Sequence, residues 1–169
     1  MRFEHVVEIV RCLNAASVRY LAAGGLAVNA HGFVRYTNDL DLVVGLASDN
    51  IRRALDTLAA LGYRPKIPVT SAQFANQELR ETWIKEKGMV VLNLWSDQRK
   101  ETPIDVFVQE PFDFAEEWAA AIHFPLAEGI AIPIVTLPTL FRMKQAAGRP
   151  QDRIDIDELT TIDRIRHET

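Results

Sequence analysis

One cysteine, Cys12, occurs in 169 residues, so neither an internal disulfide nor a thiolate metal cluster can form. Set in an apolar-periodic opening segment, it reads as core. No stretch approaches the roughly 20 apolar residues that a membrane-crossing helix needs, and runs such as Gly129 to Val135 fall far short. The opening MRFEHVVEIVRCLN carries charge every few positions, which excludes a secretory hydrophobic region and makes a reducing cytoplasm the expected compartment. Positive charge is not in excess. With 19 basic against 23 acidic side chains the formal charge is −4, so the whole protein is no electrostatic magnet for nucleic acid, and an RNA partner would need a local positive surface. A Walker lysine motif, a GxGxxG fingerprint and a nucleophile elbow are all missing, and His5, His123 and His167 have no zinc-ligand spacing. There is no internal repeat, low-complexity tract or linker. With 48% hydrophobic positions, residues 1–169 are expected to form a single α/β domain.

Phe3, Val6, Val7, Val10 and Leu13 recur at three- and four-residue spacing, so residues 3–16 read as a helix that buries one face. Val18 to Ala23 reads as a strand, ended by Gly24-Gly25. Leu26 to His31 has helical composition, with Gly32 suited to the left-handed position that closes a helix. Asp39 to Val44 is a second strand, and Ser48 to Leu61 a helix with Ser48 or Asp49 as N-cap and Gly62 behind it. Tyr63 to Arg80, with two prolines and mixed polarity, reads as a strand start and then an irregular loop. Met89 to Trp95 and Ile104 to Val108 read as neighbouring strands across the turn SDQRKETP. A short helix from Phe112 to Ala121, a strand from Ile130 to Val135, a helix Leu137 to Ala147 capped by Thr136, and a last helix from Gln151 to Arg166 complete the chain.

The chemistry concentrates in YLAAGGLAVNAHGFVRYTNDLDLVV. Side chains two apart on a strand share a face, so Asp39 and Asp41 project together while Leu40 and Leu42 enter the core. Two adjacent carboxylates repel, and a divalent cation between them relieves that. Hard oxygen ligands at this spacing suit magnesium, which keeps waters and substrate phosphates in its shell. The glycine pair permits close backbone approach, with free N–H groups aimed at an anion such as a nucleotide phosphate. A phosphoryl-transfer site with two metals wants a third carboxylate on an adjoining strand, and Asp105 in TPIDVFV is the candidate.

Ala23-Gly24-Gly25, a thirteen-residue spacer and Asp39-Leu40-Asp41-Leu42 resemble the signature of the DNA polymerase beta-like nucleotidyltransferase superfamily. The spacer lies at the long end of that pattern. HGFVRYTNDLDLVV and LFRMKQAAGRPQDRIDIDEL look like small bacterial minimal nucleotidyltransferases and abortive-infection-type nucleotidyltransferase toxins. The resemblance implies an α+β nucleotidyltransferase fold: a small mixed sheet flanked by helices, with a core at about 3–110 and a C-terminal helical part at about 136–167. It implies transfer of a nucleoside monophosphate from an NTP to a hydroxyl, with release of pyrophosphate. Two magnesium ions, or manganese in their place, would sit on Asp39, Asp41 and Asp105; Gly24 and Gly25 would face the triphosphate. Lys144, on the late helix, is the expected phosphate-binding cation. Arg35 and Thr37 contact phosphate or hold the loop, and no pattern assigns Asp152 and Asp155.

Each part has a plainer reading: DLDL a solvated strand face, Gly24-Gly25 a tight turn, Asp105 a polar position on an edge strand, Lys144 a solvated helix residue. His31 reads as a helix-terminal residue, Trp83 as packing or a base-stacking platform, and Arg99-Lys100 and Arg164–Arg166 as solvated faces. The glycine pair and three carboxylates together favour catalysis. The acceptor is open among tRNA, a protein and a small molecule such as an aminoglycoside. The short chain leaves little room for an acceptor domain, which favours a macromolecular acceptor or a second subunit, as a homodimer or a toxin–antitoxin pair. The rival reading is a catalytically silent nucleotide-binding module of a two-protein system.

Overall fold

The computed structural model describes residues 1–168. Helix α1 (Phe3–Ala15) buries Val6, Ile9, Val10 and Leu13, the stripe its spacing requires. It is followed by β1 (Tyr20–Ala22), α2 (Gly24–Ala30), β2 (Leu40–Val44) and α3 (Ser48–Ala60). The middle of the chain forms β3 (Arg64–Pro65), α4 (Ser71–Ala75), α5 (Gln77–Lys87), β4 (Val91–Trp95) and β5 (Ile104–Phe107). Then come α6 (Phe114–Ala120), β6 (Ile122–Ala127), β7 (Ile130–Ile134), α7 (Leu137–Ala147) and α8 (Pro150–His167). The strands make one mixed sheet in the order β3-β4-β5-β2-β1-β7-β6. No helix among the described residues is long and apolar enough to cross a membrane.

What positions the site is the centre of this sheet. β2 runs antiparallel to β1 and parallel to β5, with Leu40 opposite Ile104, Asp41 opposite Asp105 and Leu42 opposite Val106. β4 adds Asn93 opposite Asp105. The period of two turns Leu40, Leu42, Ile104, Val106, Leu92 and Leu94 into the core, where all are buried. At about 1.5–3 kcal/mol for each large aliphatic side chain, that burial locks the register and so fixes which face carries Asn93, Asp41 and Asp105.

Several expectations are corrected. Within Tyr63 to Arg80, expected as loop after a strand start, lie helix α4 (Ser71–Ala75) and the beginning of helix α5 (Gln77–Lys87). Thr70 and Gln73 form a reciprocal capping box at α4, and the Asn76 side chain accepts the Leu79 N–H at α5. Only Arg80 of α5 is buried, so no apolar stripe announces that helix. Strand β6 was also unforeseen: it is an exposed edge, where Pro125 costs little hydrogen bonding. α3 has Ala47 at its N-cap without a side-chain cap, and Thr136 does not cap α7 with its hydroxyl. Instead the buried Glu117 of α6 accepts the Thr136 N–H and, at 2.7 Å, the Thr139 hydroxyl. Cys12 is only half-buried. Arg99 is no solvated face: it pairs with Glu8 at 2.7 Å and donates to the Leu61 carbonyl. Trp83 stacks on Phe74 at 6.4 Å, and His31 donates from Nε2 to the Val135 carbonyl at 2.8 Å.

Candidate active site

Asp39 precedes β2, Asp41 is its second residue, and Asp105 is the second residue of β5. Burial first, and then the negative charges of Asp39 and Asp105, push Asp41 from the usual carboxylate value up to about 6, against the pull of Arg149 and Lys144. Asp105 is raised as well, by burial first and by Asp39, while a 2.7 Å hydrogen bond from the Asn93 side chain opposes the rise. Three carboxylates are thus near enough to destabilise one another's charge.

Gly24 has φ +58°, a backbone region that favours glycine, and a Cβ there would lie 1.8 Å from Asp41 Oδ2. A Cβ on Gly25 would lie 2.3 Å from Thr37 Oγ1. Both glycines therefore leave room for side chains of the segment at β2: Asp41 on the strand and Thr37 just before it. The Ala23 N–H donates to the Asp41 carbonyl at 3.0 Å, tying the glycine turn to β2.

Behind the carboxylates lies a buried ionic cluster. Asp155, wholly buried, accepts two hydrogen bonds from Arg35, at 2.6 and 2.8 Å, one from Gln151 at 3.0 Å, and one from Lys144. Burial pushes the Asp155 carboxyl up, but the hydrogen bonds of Arg35, Lys144 and Gln151 outweigh it and hold the group at about 2. Asp152 accepts from Lys144 at 2.9 Å and from Arg149 Nε at 2.8 Å, and its Oδ2 also takes the Arg149 backbone N–H at the start of α8. Its own burial is likewise outweighed by Arg149 and Lys144, leaving its pKa lowered.

The two cations differ. Lys144 is 4% exposed and saturated by two carboxylates, whereas the Arg149 side chain is 73% exposed. Arg149 is held protonated by its Asp152 hydrogen bond and by the fields of Asp152, Asp41 and Asp39. Arg149, Asn93 and Gln151 were not foreseen. The sequence RPQD carried a signal, since an Asp three residues after a helix start, behind a proline, is a capping position.

All eight candidates, Gly24, Gly25, Arg35, Thr37, Asp39, Asp41, Asp105 and Lys144, line one polar cleft of about 240 Å³, together with Arg149 and Asp152. For a divalent cation the donor chemistry fits: hard carboxylate oxygens, two of whose pKa values are raised by burial first and by neighbouring carboxylates second. Among the described residues no three His, Cys, Asp or Glu side chains converge on one ion. Magnesium needs only one or two carboxylates when phosphates and waters supply the rest.

No family model matches the chain, and no curated protein matches its sequence. Solved structures do match its fold. The lincosamide antibiotic adenylyltransferase LnuA, in a lincomycin-bound structure, aligns with TM-score 0.62 and 14% identity, over 94% of this chain and 96% of that one. A protein from Thermotoga maritima described as a nucleotidyltransferase aligns with TM-score 0.57 and 12% identity, over 98% and 92% of the two chains. The antibiotic-resistance factor ANT(2'')-Ia gives TM-score 0.55 and 13% identity, over 98% and 92%.

Proposed function

We propose, from the premise that this chain has the nucleotidyltransferase fold, that it moves a nucleoside monophosphate from an NTP to an acceptor hydroxyl. The observation that carries this reading is the set Asp39, Asp41 and Asp105, with Asp41 pushed to about 6 directly beneath the Cβ-free Gly24. Asp39, Asp41 and Asp105 would hold magnesium, or manganese in its place. The bound cation supplies charge neutralisation at the phosphates. Gly24 and Gly25 let the triphosphate approach the backbone, and Asp105, its pKa already raised, accepts the proton of the attacking hydroxyl. The acceptor oxygen bonds to the α-phosphorus as the bond to the β-phosphate breaks, and pyrophosphate leaves with the electron pair.

The cation that meets the triphosphate is Arg149, exposed, lining the cleft and within the field of Asp41 and Asp39; Lys144 serves as the buried counter-ion of Asp152 and Asp155. Arg35 and Thr37 act on the loop: Arg35 through its two bonds to Asp155, Thr37 by filling the space beside Gly25. Residues 1–169 act as one unit in this reading, since β7 and α7 bring the late segment against β1 and α2.

Chain length does not disfavour a small acceptor, because LnuA, similar in length to this chain, is an antibiotic adenylyltransferase. A tRNA or protein acceptor, and a toxin–antitoxin pairing, draw no comparable support. The test is incubation with magnesium and each α-labelled NTP, with small hydroxyl compounds, RNA and protein supplied in turn, and the Asp39→Asn, Asp41→Asn double variant alongside. Label transfer and pyrophosphate release that vanish in the folded variant are expected. Magnesium-dependent NTP binding without transfer to any acceptor would favour the silent module instead.

A further inference from the structure

Two clefts meet at the carboxylates. The polar one holds Arg35, Thr37, Asn38 and Tyr36, the last 75% exposed, so it offers charge, hydrogen bonding and an open aromatic face. The second, of about 620 Å³, shares Gly24, Asp41, Asp105, Lys144, Arg149 and Asp152 with the first. Beyond those six it changes character. Val90, Phe107 and Pro111 form one wall, and Leu140, Met143 and Ala147 of α7 the other. Gln109 is the one polar side chain outside the shared set, and among the described residues no acidic group lines this wall. Val90 is 63% exposed, an apolar surface that water covers only at a cost.

We propose that this wider cleft is the acceptor site and that its acceptor is an uncharged hydroxyl compound with an apolar body, not a polycation, a free sugar or a nucleic acid. The proposal rests on the nucleotidyl-transfer reading. Its logic is the geometry of in-line displacement: the attacking oxygen approaches the α-phosphorus opposite the departing pyrophosphate, so donor and acceptor must enter from different sides of the carboxylates. The polar cleft suits the donor, with Arg149 near phosphate, the Arg35-held loop beside it and Tyr36 available to stack on a base. The apolar cleft then remains for the acceptor, and its volume is that of a small-molecule pocket. A polycation would find no free carboxylate there: Asp41 and Asp105 are occupied by the reaction, and Asp152 is paired with Lys144 and Arg149. The hydroxyl would reach Asp105 while the apolar body lies against Phe107 and Met143. The acceptor's O–P bond forms, the α–β bridging bond breaks, and its proton passes to Asp105.

The test uses the full chain, magnesium, the NTPs and a graded panel: aminoglycosides, free sugars, short RNA, and uncharged aryl and alkyl glycosides, read by pyrophosphate release. A double variant, Val90→Asp with Ala147→Asp, adds acidic groups to opposite walls at exposed positions. Release is expected with uncharged apolar-bodied compounds, with kcat/KM for them falling at least tenfold in the variant while Kd for the magnesium–NTP complex changes less than twofold. Release with polycations, free sugars or RNA alone, or with no panel member although NTP binds, overturns the assignment. So does an equal loss of NTP affinity in the variant, which would give the cleft to the nucleobase. Absence of magnesium-dependent NTP binding in the unaltered protein instead brings down the nucleotidyl-transfer reading beneath it.

Discussion

Asp41 is held where its charge is least welcome, buried and facing two other carboxylates, and its pKa of about 6 measures that conflict. Because the folded value lies above the unfolded one, the metal-free protein keeps its full stability below about pH 4 in this respect and loses it as pH rises toward 6. Asp41→Asn should therefore stabilise the metal-free fold by about 1–3 kcal/mol above pH 6, and by nothing at pH 4, while abolishing transfer. Melting temperatures of the two proteins across that pH range check it; a variant less stable than the parent near neutrality would contradict the account. A second contrast separates Arg149 from Lys144. Arg149→Ala should leave stability within about 1 kcal/mol and raise KM for NTP about 10–100-fold, the worth of a charge-assisted contact. Lys144→Met should lower stability by about 3–5 kcal/mol, since Asp152 and Asp155 would be left buried and facing each other. Steady-state kinetics beside thermal melts distinguish the two.

Helix α8 reaches the site through its first two turns. Asp152 caps the helix start and grips Arg149, and Asp155, one turn on, grips Arg35 in the loop before β2 and Lys144 on α7. One helix face thus ties the loop before β2, 120 residues away in the chain, to the neighbouring helix α7. Asp155→Asn should cost about 3–5 kcal/mol near neutral pH because Arg35 loses its carboxylate partner and buried Lys144 one of its two. The parent's Asp155 has a folded pKa of about 2, below its usual value, so its stabilisation is present above about pH 4 and is lost as pH falls toward 2. Acid-unfolding curves should show that segment of the profile flattened in the variant. Elements that face solvent were hard to foresee: α5 and β6 bury little, so hydrophobic period said nothing of them, and the capping residues Thr70, Gln73 and Asn76 were the available signal.

At the scale of the molecule, the proposed binding of magnesium and NTP would be linked to stability through the repelling carboxylates. Magnesium with NTP at about 100 times Kd should add about 2.7 kcal/mol, a rise of roughly 5–10 °C in melting temperature for a chain of this size. Magnesium alone should give less, NTP with a chelator little, and the magnesium effect should shrink below pH 6 as Asp41 takes a proton. Differential scanning fluorimetry reads all of these; a stabilisation by NTP that ignores magnesium would argue against carboxylate-held metal.

The sequence by itself determined the central strands and the helices with an apolar stripe, because period-two alternation assigns Leu40, Leu42, Ile104 and Val106 to one face, where all are buried; their register is a matter of the tertiary structure. From the same alternation it determined that Asp39 and Asp41 share a face, and it supplied the glycine pair and Asp105 as candidates. Only the tertiary structure decided that Gly24 must lack a Cβ to make room for Asp41, that Lys144 is consumed by Asp152 and Asp155, and that Arg149 takes the exposed place. Local pattern reports which way a side chain points, but the partner it meets lies on another element. Charge pairing between segments 8 to 120 residues apart is settled by packing alone.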